Sequence, residues 1–286
     1  MSTIISGTRL DLHVPSGTIG GLRWGSPDAP MAIGFPTILS DARSLEFLGS
    51  RLGCDTRQFV AISPRGRGPS DATAPGSYGW PAHARDVVEI AASLGRETFD
   101  FVGWSFGGAV GMQVANAAPG GIRRLVLIDA LGRPDSSTAG PIAASFQRLD
   151  RTFTTADEFV ENSLAAYGGA IRDCEQALRS YLSGNVQSTG TGFAWSINKS
   201  ALMEDALYTA NQDPYVLWPA LTMPVLVVRA MKPIIPGVGL VVTQEDCDRL
   251  LHLMPQSRII EVDANHVCVG MVEATAAAIA TFLTAP

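Results

Sequence analysis

Gly103-Trp104-Ser105-Phe106-Gly107 is the stretch of this sequence best suited to covalent chemistry. It follows an apolar run, Phe99-Asp-Phe-Val, and precedes a run of small residues, Gly107-Gly-Ala-Val-Gly. In that setting the pattern G-x-S-x-G describes a sharp strand-to-helix turn that exposes a serine Oγ. The glycines let strand and helix approach closely. The helix starts beside the serine, so its amide groups and positive dipole end face any negative charge that develops there. Such a hydroxyl can attack an acyl carbon once a base removes its proton. The competing reading is a glycine-rich turn whose serine merely caps the helix.

Three other stretches accompany this turn: Ile33-Gly34-Phe35-Pro36, Ser63-Pro64-Arg65-Gly66-Arg67-Gly68-Pro69-Ser70, and Asn265-His266 near the end. With them the chain resembles the α/β-hydrolase superfamily, in its serine-nucleophile branch, over nearly its full length. The resemblance implies an α/β-hydrolase fold: a mostly parallel central sheet with helices on both faces and a helical cap inserted after the sixth strand. It also implies a hydrolase with no cofactor and no metal.

The base is sought among four histidines. His13 belongs to an N-terminal hairpin, His83 to the start of a helix and His252 to a helix away from strand ends. His266 follows the last strand, at the carboxyl edge of the sheet, where open α/β sheets build their sites. It is the expected general base for Ser105. A carboxylate must then fix the histidine tautomer. Members of the superfamily mostly carry it after the strand matching Val225–Val228, but Arg229-Ala-Met-Lys-Pro-Ile-Ile-Pro-Gly holds no acid before Glu245 and Asp246. Haloalkane dehalogenases and zearalenone lactonases resemble this chain in placing the acid one strand earlier, which selects Asp129. Glu245 is the fallback. Two donors must face the oxyanion. The backbone N–H of Phe106 and, by the resemblance, that of Phe35 are expected to fill those places. Ile33 stands where the superfamily usually has histidine, and Ser63 where aspartate is common. Arg65 and Arg67 read as scaffold, a solvated or salt-bridged pair, with binding of an anionic group as the alternative.

These groups need a frame. Strand patterns fall at 8–14, 18–24, 31–34, 59–63, 99–103, 124–128, 225–228 and 257–262. Helical patterns fall near 41–52, 80–94, 106–117, 244–253 and 270–283. Continuous apolar strands alternating with helices predict a parallel sheet covered on both faces. Residues 134–213 lack strand runs and hold helix-like stretches near 143–149, 157–167, 174–182 and 200–210, with a Gly/Ser/Thr-rich break at 183–192. The expected division is a core of 1–133 and 214–286 and a cap of 134–213. Trp104, Phe35, Trp195 and Trp218 are the aromatic residues expected to line the pocket, although cap aromatics at helical spacing serve more often as cap core.

Composition sets outer bounds. Of 286 residues, 46% are apolar and only 17% charged, which excludes disorder. The net charge of −6 argues against nucleic-acid or anionic-membrane partners. No apolar run is long enough for a membrane span, and the N-terminus has no secretory pattern. The expectation is a cytoplasmic protein with a small-molecule substrate, able to pair as a homodimer. Cys54, Cys174, Cys247 and Cys268 are widely spaced with no C-x-x-C pair, so reduced thiols are expected. The reading that follows is a carboxylic-ester or lactone hydrolase for a moderately hydrophobic substrate. C–C bond hydrolysis, perhydrolysis or acyl transfer on the same triad is the alternative, as is a ligand-binding protein with little turnover.

Overall fold

The computed structural model describes residues 4–284. Strands β1 (Thr8–Val14) and β2 (Gly17–Trp24) form a hairpin around Pro15-Ser16. Strands β3 (Met31–Phe35), β4 (Gln58–Ile62), β5 (Phe99–Trp104) and β6 (Ile122–Ile128) follow, separated by helices α1 (Glu46–Leu52), α2 (Trp80–Ser93) and α3 (Phe106–Ala117). The cap segment then carries α4 (Ala139–Gln147), α5 (Ala156–Ala165), α6 (Glu175–Gly184), a hairpin of β7 (Val186–Ser188) and β8 (Phe193–Trp195), and α7 (Lys199–Asn211). The core resumes with β9 (Val225–Lys232), α8 (Gln244–Leu253), β10 (Arg258–Asn265) and α9 (Glu273–Thr284).

Eight of these strands form one sheet in the order β1-β2-β4-β3-β5-β6-β9-β10. Pairing is parallel from β4 to β10 and antiparallel at β1–β2 and β2–β4. Every residue of β3, β4 and β5 is buried, as continuous apolar strands with two covered faces require. The alternation of the pleat sends Ile33, Phe101 and Leu125 to one face, against Val87 and Ile90 of α2, Val110 of α3 and Leu250 of α8. It sends Ala32, Val102 and Val126 to the other, against Leu48 and Leu52 of α1 and Ile279 and Phe282 of α9. The mostly parallel sheet between two helical layers is the architecture expected from the resemblance.

The apolar side of the cap is continuous with one of the two core clusters, and in it Phe159 packs edge-on against Phe153 (5.5 Å) and Trp195 (5.1 Å). The break read at 183–192 is in fact largely the β7–β8 hairpin. Three-residue strands are too short to leave an alternating pattern. Helix α6 docks on the loop after β3 through a hydrogen bond from the Tyr181 hydroxyl to the Leu39 carbonyl (3.1 Å).

The expectation of four reduced cysteines is corrected. Cys174, at the start of α6, forms a disulfide with Cys268, just after β10. The two lie 94 positions apart in sequence, and only the seating of the cap on the core brings them together. Spacing alone carried no trace of the pairing. Cys54 and Cys247 are free.

Candidate active site

Among the described residues, two non-glycine residues adopt positive φ: Ser105 at 54° and Asp129 at 45°. Such conformations cost on the order of 1–3 kcal/mol each and persist only where the surroundings enforce them. Ser105 is held at the end of β5 by its N–H to the Ile128 carbonyl (2.9 Å), and it opens α3. The turn leaves no room for a side chain at Gly103 or Gly107. A Cβ on Gly103 would lie 2.2 Å from the Gly107 carbonyl oxygen, and one on Gly107 would lie 2.2 Å from that of Phe35. Ser105 is half-buried.

Asp129 sits directly after β6 and is buried. Its N–H donates to the Val228 carbonyl (2.7 Å), and its Oδ1 accepts from the Ala230 N–H (3.0 Å). One carboxylate oxygen is thus fixed by the neighbouring strand β9. The other, Oδ2, lies 2.8 Å from Nδ1 of His266. An ionised carboxylate only accepts, so Nδ1 carries the proton and Nε2 is left as the basic nitrogen. His266 is half-buried. Its loop is shaped by Asn265, whose Oδ1 accepts from the N–H groups of Val267 and Cys268 (3.0 Å each) and whose Nδ2 donates to the Ala170 carbonyl of the cap (2.7 Å). The Trp104 indole donates to the His266 carbonyl (3.2 Å). Ser105, Asp129 and His266 therefore stand at the carboxyl ends of β5, β6 and β10, at one edge of the sheet.

Phe106 is the first residue of α3, where backbone N–H groups lack partners within the helix. Phe35 closes β3, and its carbonyl lies against Gly107. The loop beyond Phe35 is braced without the histidine that Ile33 replaces. Arg67 Nε donates to the Ile38 carbonyl (3.3 Å), Tyr181 holds that of Leu39, and the Thr37 and Ser40 hydroxyls bond each other (2.8 Å). Ser63, at the position where aspartate is common, accepts from the Ala42 N–H (3.1 Å).

The tryptophans expected in the pocket, Trp104, Trp195 and Trp218, are all packed in the interior. Trp104 lies against Gly270, where a Cβ would meet its ring at 2.6 Å. Trp195 belongs to the cap interior. Trp218 donates to the Leu131 carbonyl (3.2 Å) beneath Tyr215. All three are buried, so they offer little surface to a ligand. Phe35 is equally covered, its ring meeting those of His83 (5.6 Å) and Phe106 (6.2 Å). A groove of about 500 Å³ between the N-terminal hairpin and the cap, bordered by Arg9, Leu22, Arg43 and Val186, does not include the triad.

The sequence reading missed a second charged group beside these aromatics. Asp205 of α7 meets Arg67 (2.7 Å) and Nε2 of His83 (2.9 Å), all three without solvent exposure, and accepts from the Gly79 N–H (2.7 Å). Burial alone would push the Asp205 carboxyl up. The neighbouring His83, Arg67 and the Gly79 N–H outweigh it and hold the group below its ordinary value. Burial pulls the Arg67 guanidinium down. Arg65, two residues before Arg67, is paired with Asp86 of α2. Both arginines are thus the ion-paired scaffold that was expected. The available signal for Asp205 was an acid next to Glu204 in a cap helix, which does not name a partner. The other histidines stand elsewhere, His13 beside Thr18 in β1 and His252 exposed on α8.

A family model described as "Alpha/beta hydrolase family" matches residues 26–281. Among curated relatives, a 2-hydroxymuconate semialdehyde hydrolase of Pseudomonas putida is 34% identical over 137 residues, covering 43% of this chain and 48% of that protein. An N-formylmaleamate deformylase of Pseudomonas putida (strain KT2440) is 33% identical over 108 residues, covering 38% and 40%. The chain spans less than half the length of these curated relatives. Among solved structures, that of E-2-(acetamidomethylene)succinate hydrolase superposes with a TM-score of 0.86 at 22% identity, covering 98% of this chain and 100% of the other.

Proposed function

Because the chain belongs to the alpha/beta hydrolase family, we propose that it is a serine hydrolase that cleaves a carboxylic ester or lactone of a moderately hydrophobic small molecule. His266 Nε2 takes the Ser105 proton as Oγ attacks the carbonyl carbon. The N–H groups of Phe106 and Phe35 receive the oxyanion. His266 then returns the proton to the departing alcohol oxygen. Water, activated by the same nitrogen, releases the acid and restores Ser105. Asp129 holds the imidazole in the required tautomer and offsets the charge it gains. The single observation that carries the reading is the contact of Asp129 Oδ2 with His266 Nδ1, at the sheet edge where Ser105 is held in its strained turn.

A second reading, hydrolysis of a small amide, is favoured by the names of two similar proteins, the N-formylmaleamate deformylase and the E-2-(acetamidomethylene)succinate hydrolase. The same steps apply, with nitrogen as the leaving atom. The test is treatment with a fluorophosphonate followed by peptide mapping, and then a panel of p-nitrophenyl esters, lactones and N-formyl amides. The expected result is label on Ser105 and faster turnover of esters than amides. Label elsewhere, or none, removes the acyl-serine mechanism. Faster amide turnover selects the second reading.

A further inference from the structure

The loop that carries His266 is gripped from two sides. From the core, Trp104 holds its carbonyl and Asp129 its ring. From the cap, the Ala170 carbonyl accepts from Asn265, the residue immediately before His266, and Cys174 is bonded to Cys268, two residues after it. The segment supplying both cap groups is one short stretch, a 3₁₀ turn at Gly168–Ile171 running into α6. Helix α6 in turn holds the loop after β3 through Tyr181. The cap is therefore joined covalently to the loop bearing the base, and by a hydrogen bond to the loop expected to supply an oxyanion donor.

We propose that Cys174 and Cys268 are positioning residues for His266, their disulfide clipping the cap to the base-bearing loop so that turnover depends on the thiol–disulfide state of the chain. The inference rests on the acyl-serine reading above. A disulfide restricts the conformations available to the segment it closes. Without it, the Asn265–Ala170 hydrogen bond (2.7 Å) and the long Cys268 Sγ–Ala170 contact (3.8 Å) are the polar ties described between this loop and the 168–171 turn, and small displacements of a catalytic group are costly. Both cysteines are buried, so a reductant reaches the bond only when the cap lifts. The other two thiols do not compete for this role. Cys54 is exposed, two residues after α1, and Cys247 is buried, its thiol pushed up to about 11 by burial. In the reduction, one thiolate of an added small dithiol attacks a sulfur of the Cys174–Cys268 bond. The second thiol closes on the resulting mixed disulfide. The protein gains two thiols, and the dithiol leaves as its cyclic disulfide.

The full-length chain, purified in air, is first alkylated in denaturant without reduction and mapped. Cys54 and Cys247 are expected to be modified, and Cys174 and Cys268 to appear as one linked peptide. Modification of all four overturns the proposal. The oxidised and dithiothreitol-reduced proteins are then compared by fluorophosphonate labelling rate at Ser105 and by kcat and KM. Reduction is expected to lower labelling and kcat about tenfold with a smaller change in KM, and reoxidation to restore both. The Cys174→Ser/Cys268→Ser variant should sit at the reduced level and ignore dithiol. A purely structural bond would lower Tm while leaving the rates of the folded protein unchanged, and that result overturns the proposal. If neither state labels Ser105, the acyl-serine reading fails, and hydrogen exchange at 265–270 still decides the clip: faster exchange on reduction supports it, unchanged exchange refutes it.

Discussion

Nε1 of Trp104 donates to the main-chain carbonyl of His266 across 3.2 Å. The residue before the proposed nucleophile thereby holds the residue proposed as the base, although the two are 162 positions apart in sequence. Gly270 makes the contact feasible, since a Cβ there would collide with the indole.

Trp104→Phe keeps an aromatic face against Gly270 and removes the donor. One such bond contributes about 0.5–1.5 kcal/mol, so kcat is expected to fall by about threefold to tenfold. KM should change by less than about twofold if only the base is displaced. Steady-state kinetics on one ester decides it, and an unchanged kcat would show that the loop holds itself.

Asp129→Asn leaves the shape of the site but removes the carboxylate facing Nδ1. By analogy with dissected triads, kcat should drop about 10⁴-fold. Glu245→Gln, at the fallback position, should leave it unchanged. A reversed pair of results would move the orienting acid to the start of α8.

Asp205→Ala leaves Arg67 and His83 buried without their carboxylate. Removing one member of a buried ion pair costs about 3–5 kcal/mol, measurable as a lower Tm and a lower denaturation midpoint. The pH dependence has a definite sign. The folded-state value of Asp205 is lowered, so its contribution is complete above the ordinary aspartate range and fades as pH falls through the lowered value. Between those limits the wild type should lose its stability margin over Asp205→Ala as acid is added. A margin that is constant or grows over that span would contradict the arrangement.

Gly107→Ala places a methyl group 2.2 Å from the Phe35 carbonyl oxygen. Both neighbours are backbone, so α3 or the end of β3 must move. Turnover should fall by about 10²-fold or more, with the loss exceeding what Tm explains. Activity near wild type would mean that the approach of the two segments is not needed for the chemistry.

The legible part of this fold was the part written in short-range pattern. The boundaries of β1 and α8 match the sequence reading to the residue, because alternation, apolar periodicity and a Thr243 cap mark them locally. The placement of Ser105, Asp129 and His266 along one sheet edge followed from strand order, which alternation largely dictates. Contacts between segments distant in sequence were silent. Asp205 meeting Arg67, Cys174 meeting Cys268 and Trp104 reaching His266 all join segments far apart in sequence, and residue type names none of those partners.

Asp129 occupies both of its carboxylate oxygens from a position before the cap begins, one on β9 and one on His266. The stretch from Pro233 to Val241 is thereby released from proton handling. It is held at the entry to the cap instead, where the Gly239 N–H donates to the Ser137 hydroxyl (2.8 Å) and a Cβ on Gly239 would meet Asp135 at 2.4 Å, so an exchange there should disturb the seating of the cap while leaving the Asp129–His266 contact in place.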